Sequence, residues 1–155
     1  MIGLVAAACS SNSAPTTTTT TMPSRAASTA AIKHSFSVLF DLADPALAPK
    51  IAVIQDGSAL EATMRGALKS ALAKEAAGAS ISAVEIESGS GCSNGGVPSP
   101  CAKVTYDILG PSGTALLANT QGYAVYSRSH WLVAKVTICS LLYFENGDKV
   151  AAGCS

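Results

Sequence analysis

The hydrophobic repeat of this chain changes once, near Ala79, from a helical spacing to an alternating one. Ahead of that point Ile32, Phe36, Leu39, Phe40 and Ala43 recur at i, i+4, i+7, i+8 and i+11. Such spacing lays one apolar stripe along a helix. It predicts a helix over 28–43, capped by Ser28 or Thr29 and stopped at Asp44-Pro45, because the residue before proline is pushed out of the helical region. Asp44 then caps a short second helix with Pro45 at its first position. Ile51 and Ile54 form its apolar side, and Asp56-Gly57 turns the chain. Ser58-Ala59-Leu60-Glu61 has the form of a capping box. It opens a third helix in which Leu60, Met64, Leu68 and Leu72 fall at i+4 spacing until Gly78 stops it.

Beyond Ala79 the pattern is that of strands, expected over 80–87, 103–109, 116–126 and 131–144. In the second, Val104, Tyr106 and Ile108 share one face. Gly110-Pro111-Ser112-Gly113 and Ser127-Arg128-Ser129-His130 read as tight turns, and Gly122 as a bulge or bend. Consecutive strands joined by short turns form an antiparallel meander. Helices first and strands after predict an α+β domain, with N-terminal helices packed on a curved four-stranded antiparallel sheet. A single such domain over 28–155 is long enough to bury a sizeable core.

The front of the chain has a different character. Met1 to Ala8 is uncharged and apolar, and Cys9 follows a run of three alanines. Ser10 to Ala14, Pro15 and a run of threonines from Thr16 to Thr21 come next. Small residues before a cysteine are what lipoprotein signal peptidase requires, so 1–8 reads as a lipoprotein signal, Cys9 as the acylated residue and 9–27 as a polar tether. An export signal ordinarily spans roughly 15–30 residues with a basic start. The peptide is therefore expected to extend upstream. Two acyl chains at Cys9 would anchor the protein stably to a membrane. The tether cannot bury apolar area, and its hydroxyls are candidate glycosylation sites.

Export decides how the other cysteines are read. Cys92, Cys101, Cys139 and Cys154 form an even set, which in an oxidising compartment indicates disulfides. Pairing Cys92 with Cys101 and Cys139 with Cys154 closes two short polar loops. Zinc is disfavoured, because no Cys-x-x-Cys occurs and both histidines lie far from the cysteines. Ten basic residues balance ten acidic ones, so the chain carries no electrostatic footprint for nucleic acid.

Several short motifs keep a recognisable order. These are Leu42-Ala43-Asp44-Pro45, Lys50, Asp56-Gly57, Val104-Thr105-Tyr106-Asp107, Gly122-Tyr123-Ala124-Val125, Trp131-Leu132-Val133, Thr137-Ile138-Cys139 and the terminal Cys154. Together they resemble the mycobacterial low-molecular-weight secreted antigen family, which belongs with the nuclear-transport-factor-2-like cone folds. The resemblance runs from about Ala31 to Cys154. It implies helices closing over a curved sheet, an exported or lipid-anchored protein and no defined reaction. The Cys92–Cys101 loop lies outside that pattern.

A cone fold carries an apolar pocket between sheet and helices, and the candidates to line it here are Tyr106, Trp131, Phe36 and Phe40. Core packing is the simpler role for Trp131, whose indole nitrogen needs a partner if buried. Enzymes of the cone superfamily place an acid–base pair in that pocket. Tyr106 and Asp107 are adjacent on one strand and so face opposite ways, and Tyr123 and Tyr126 differ in parity. His34 lies off the apolar stripe and His130 in a turn. No catalytic residue, metal ligand or cofactor motif is assigned. The expected function is a lipid-anchored or secreted cell-envelope protein without catalytic activity, binding an envelope protein or a small apolar ligand. The alternatives are a cone-pocket enzyme of isomerase or dehydratase type, and a structural accessory module working through an exposed face.

Overall fold

The structure is a computed structural model describing residues 21–89 and 91–155. The expected signal, Cys9 and the expected tether up to Thr20 lie outside the described residues. Among the described residues, four helices precede a four-stranded antiparallel sheet, and a fifth helix follows it. The elements are α1 (Arg25–Phe40), α2 (Leu47–Ala52), α3 (Gly57–Ala67), α4 (Ala71–Glu75), β1 (Gly78–Glu87), β2 (Cys101–Leu109), β3 (Ala115–Ser127), β4 (His130–Val133) and α5 (Lys135–Glu145). The strands lie in sequence order, β1-β2-β3-β4. This is an α+β fold with helices packed on an open meander sheet.

The predicted stripe of α1 is its buried face: Ile32, Phe36, Leu39 and Phe40 all lie in the core. The helix starts earlier than expected, because Ser24 provides the cap, its Oγ accepting from the Ala27 amide at 3.3 Å. Ser28 instead turns inward and donates to the Pro23 carbonyl. The helix also ends earlier, at Phe40. Asp44 still caps locally, accepting from the Ala46 amide at 2.9 Å, but α2 begins three residues later than that cap. The expected capping box does not form. Asp56 takes the cap position in a left-handed conformation, with φ 51°, and Ser58 lies inside α3. Glu61 reaches forward to Arg65 at 2.7 Å rather than back to Ser58. The long third helix is two helices, broken where Ser70 caps α4 by accepting from the Ala73 amide.

The first three strands lie where the alternation predicts. Register steps next to Ser82 in β1 and next to Asp107 between β2 and β3 mark bulges, and bulges bend the strands that carry them. Gly122 is not among them; it pairs in register with Val104. The fourth strand differs most from expectation. It is four residues long, and the chain from Lys135 onward is helix. Residues 131–144 are apolar almost throughout, and a fully apolar run does not distinguish a buried strand from a buried helix. The helical stripe is Ile138 and Leu142, with Thr137 beside it.

Two contacts explain why α5 leaves the sheet where it does. Val133 pairs with Ile54 in a parallel bridge; Gln55 N donates to Val133 O at 2.9 Å, and Val133 N donates to Val53 O at 2.8 Å. The edge of β4 is therefore covered by the segment after α2. Past Val133, Thr137 serves the uncovered part of β3. Its hydroxyl accepts from the Tyr123 amide at 2.7 Å and donates to the Tyr123 carbonyl at 3.0 Å. A Cβ at residue 122 would lie 2.6 Å from Thr137 Cγ2 and 3.1 Å from Tyr106 Cε1. Gly122 is thus required for close approach of α5 to the sheet.

Both expected disulfides are present. Cys92–Cys101 spans a Cα–Cα distance of 6.2 Å and Cys139–Cys154 one of 5.6 Å. The first pins a loop over the outer face of the sheet, where Cys92, Val97, Cys101, Val125 and Ala134 make a second apolar cluster with Tyr123 beside it. The second ties α5 to the C-terminal segment. That segment packs on α3, where Thr63 donates to the Ala152 carbonyl at 2.7 Å.

Candidate functional site

The four residues proposed for a pocket are all buried. Three of them meet. The Tyr106 ring lies 5.2 Å from Phe36, edge-on, and 5.3 Å from Phe40, stacked. These distances are those of attractive aromatic pairs. Trp131 lies on the same face of the sheet as Tyr106 but far along it. Tyr106 is opposite Thr120 on β3, whereas Trp131 is opposite Tyr126. Six residues of strand correspond to about 20 Å. Trp131 packs on Tyr126 instead, with ring centroids 5.4 Å apart. Its carbonyl accepts from Ser35 of α1 at 2.8 Å, which joins the far end of the sheet to the helix.

The interior between helices and sheet is thus filled by its own side chains. What remains is an apolar cleft of about 70 Å³ at the end of α1, bordered by Phe40, Met64, Leu72, Ile108, Ile138 and Leu142. Ligand pockets for small organic molecules ordinarily hold about 300–1,000 Å³. Larger hollows, of about 260–420 Å³, open at the surface elsewhere among the described residues. The most polar is bordered by Gln55, Asp56, Ser58, Arg128 and His130 beside the β3–β4 turn. At its rim the apolar cleft is latched: Ser70 donates to Glu145 Oε1 at 2.8 Å.

Among the described residues, two buried polar atoms have no hydrogen-bond partner, the Tyr106 hydroxyl and the Trp131 indole nitrogen. The indole therefore lacks the partner that burial normally demands. Burial raises the Tyr106 pKa far above its ordinary value of 10.0, because the ionised phenolate would lie in apolar surroundings. Tyr106 is neutral at all physiological pH. Acid–base chemistry would need a second titrating group beside it. Asp107 points the other way, and its Oδ1 accepts from the Asn119 amide at 2.6 Å.

Lys50, one of the motif residues named above, is 1% exposed. Its ammonium donates to the Asp41 carbonyl at 2.6 Å. Asp41 is the C-cap of α1, so Lys50 places a cation at the negative end of that helix. Its role is to close the helix. His34 and His130 are both exposed, and the His130 ring contacts the Arg128 carbonyl. No group of three or more histidine, cysteine or acidic residues could hold a metal among the described residues. None of the described helices is long and apolar enough to cross a membrane.

The surface carries one feature that the sequence pattern concealed. Phe144 is 81% exposed, Val150 68% and Tyr143 41%. They surround the Cys139–Cys154 bond in a shallow apolar depression. Assigning 131–144 to a strand hid this, because alternate strand residues face opposite ways and Phe144 would then have shared a face with Leu142. In a helix those two lie about 200° apart. Four consecutive apolar residues, Leu141 to Phe144, cannot all face a core from one helix, and that was the available signal. No protein-family model matches the chain, and neither a curated protein nor a solved structure matches it.

Proposed function

We propose that this chain is a non-catalytic cell-envelope domain, exported and held at the membrane through Cys9 or released from it, that works by binding with its surface. The observation that carries this reading is the filled interior. Phe36, Phe40 and Tyr106 occupy the volume where a cone-type enzyme or carrier would hold its ligand, and the residual cleft of about 70 Å³ is small for one. Function is then left to the exterior, as in an accessory module docked beside other envelope components. Two disulfides in a chain of 155 residues support an oxidising compartment. The short apolar stretch running into Cys9, and the resemblance to a family of secreted antigens, support export.

Mass spectrometry of the native protein tests the reading. The expected result is cleavage before Cys9, an acyl mass on that residue, both disulfides, and no small molecule in stoichiometric association under non-denaturing conditions. An apolar ligand that copurifies at one per chain, or a reduced polypeptide with an unmodified Cys9, would overturn it.

A further inference from the structure

The exposed end of α5 is apolar: Phe144, Val150 and Tyr143 all reach solvent there. Phe144, Val150 and Tyr143 together expose roughly 300–400 Å² of contiguous side chain, about the size of the largest apolar patch on a soluble monomer, which is often functional. Their flanks are the charged residues Glu145, Asp148 and Lys149. The patch is also held stiffly. Cys139, one turn before Tyr143, is bonded to Cys154. The Asp148 amide donates to the Tyr143 carbonyl at 3.0 Å, folding the following turn back against the helix.

We infer that the Tyr143, Phe144 and Val150 face is a lipid-contacting surface that inserts Phe144 into the headgroup boundary of a membrane, a deepening of the proposed envelope role that rests on it. Size argues against a second copy of the chain. A stable protein interface buries about 800 Å² on each partner, of which this patch supplies at most half, and in a two-fold pairing its rim of two acidic groups and one lysine would face itself. A single projecting phenyl ring with a tyrosine hydroxyl at its side suits the membrane–water boundary, where such rings settle at headgroup level. The tether permits the geometry. The patch adjoins the end of α5, whose Leu142 and Glu145 border the same cleft as Leu39 and Phe40 at the C-terminal end of α1. The tether joins at the other end of that helix, about 24 Å away. Residues 10–24 can reach up to about 50 Å when extended. An anchor at Cys9 therefore leaves enough chain for the face to lie on the bilayer. With two acidic groups and one lysine around the patch, contact should rest on apolar insertion and should not favour anionic lipid.

The test uses the full chain with Cys9→Ser, which removes any acyl anchor. Its partition onto phosphatidylcholine vesicles is measured by sedimentation with and without phosphatidylglycerol. Bound protein is expected on both vesicles, to persist in 1 M salt and to fall at least about tenfold in Phe144→Ser, the lower end for withdrawing a phenyl side chain from water. Phe144→Trp provides a second readout: its emission should shift to the blue on vesicles, while the buried Trp131 supplies a constant background. Equal binding by the Phe144→Ser chain at an unchanged melting temperature overturns the proposal. So does a concentration-dependent dimer abolished by Phe144→Ser in a chain that ignores vesicles. An unmodified Cys9 in the native protein, with Phe144-dependent vesicle binding retained, would count against the anchor and leave the lipid face standing.

Discussion

At the scale of single residues, three positions show how this core is held. Thr137 does the work of a missing strand residue, because its hydroxyl satisfies both backbone groups of Tyr123. Thr137→Val keeps the shape and leaves the half-buried Tyr123 amide unpaired, so stability in urea should fall by about 1 kcal/mol. Lys50→Met, which removes the ammonium from the Asp41 carbonyl, should cost a similar amount by the same measurement. Tyr106 behaves in the opposite sense. Its hydroxyl has no partner among the described residues, so Tyr106→Phe is expected to be neutral or stabilising by up to about 1 kcal/mol. The sign of its pH dependence follows from the raised pKa. The folded state holds the phenolic proton more tightly than the unfolded chain. Its contribution is therefore constant below about pH 10, the ordinary tyrosine value, and stability declines as pH rises beyond it. Alkaline melts should show that decline steeper in the parent protein than in Tyr106→Phe. Gly122 was legible only as a glycine in a strand; its reason, the approach of Thr137, is tertiary and cannot be read from neighbours in sequence.

At the scale of elements, periodicity located α1, the start of α3 and the first three strands, since each has one wet and one dry side. Caps were harder to place. Ser24 and Asp56 were chosen over Ser28 and Ser58, because Ser28 is buried and Glu61 has Arg65 within its own helix. The α5 segment failed for a different reason. Between Trp131 and Phe144 neither glycine nor proline marks the exit from the sheet, and the run is apolar on nearly all sides. Its boundary is set by Val53 to Gln55 pairing with Val133, and by Gln55 Oε1 accepting from the Lys135 amide across 80 residues of sequence. The cysteine pairing, by contrast, was readable from loop length alone. Removing Cys139–Cys154 by double serine substitution should lower stability by about 2–5 kcal/mol in denaturant titration. The four residues expected to line a pocket are buried, and three of them meet; whether they enclose a hollow depends on how far α1 approaches the sheet, which no sequence pattern carries.

For the molecule as a whole, the parts of the chain that meet are widely separated in sequence. Ser35 bonds the Trp131 carbonyl across 96 residues, and Thr63 bonds the Ala152 carbonyl across 89. Strong reductant should therefore lower the melting temperature of the entire domain in one transition, observable by calorimetry, rather than melt the C-terminal segment alone. The covered edge of β4 has a further consequence for biogenesis. Val53 to Gln55 have no strand to lie against until Val133 has been synthesised, and α1 has no floor until the sheet exists. A nascent polypeptide of this design remains loose until its last quarter emerges, and contacts of such long range form slowly. Such looseness suits the export proposed above: a thread that stays passable through a translocation channel would lock only after arrival.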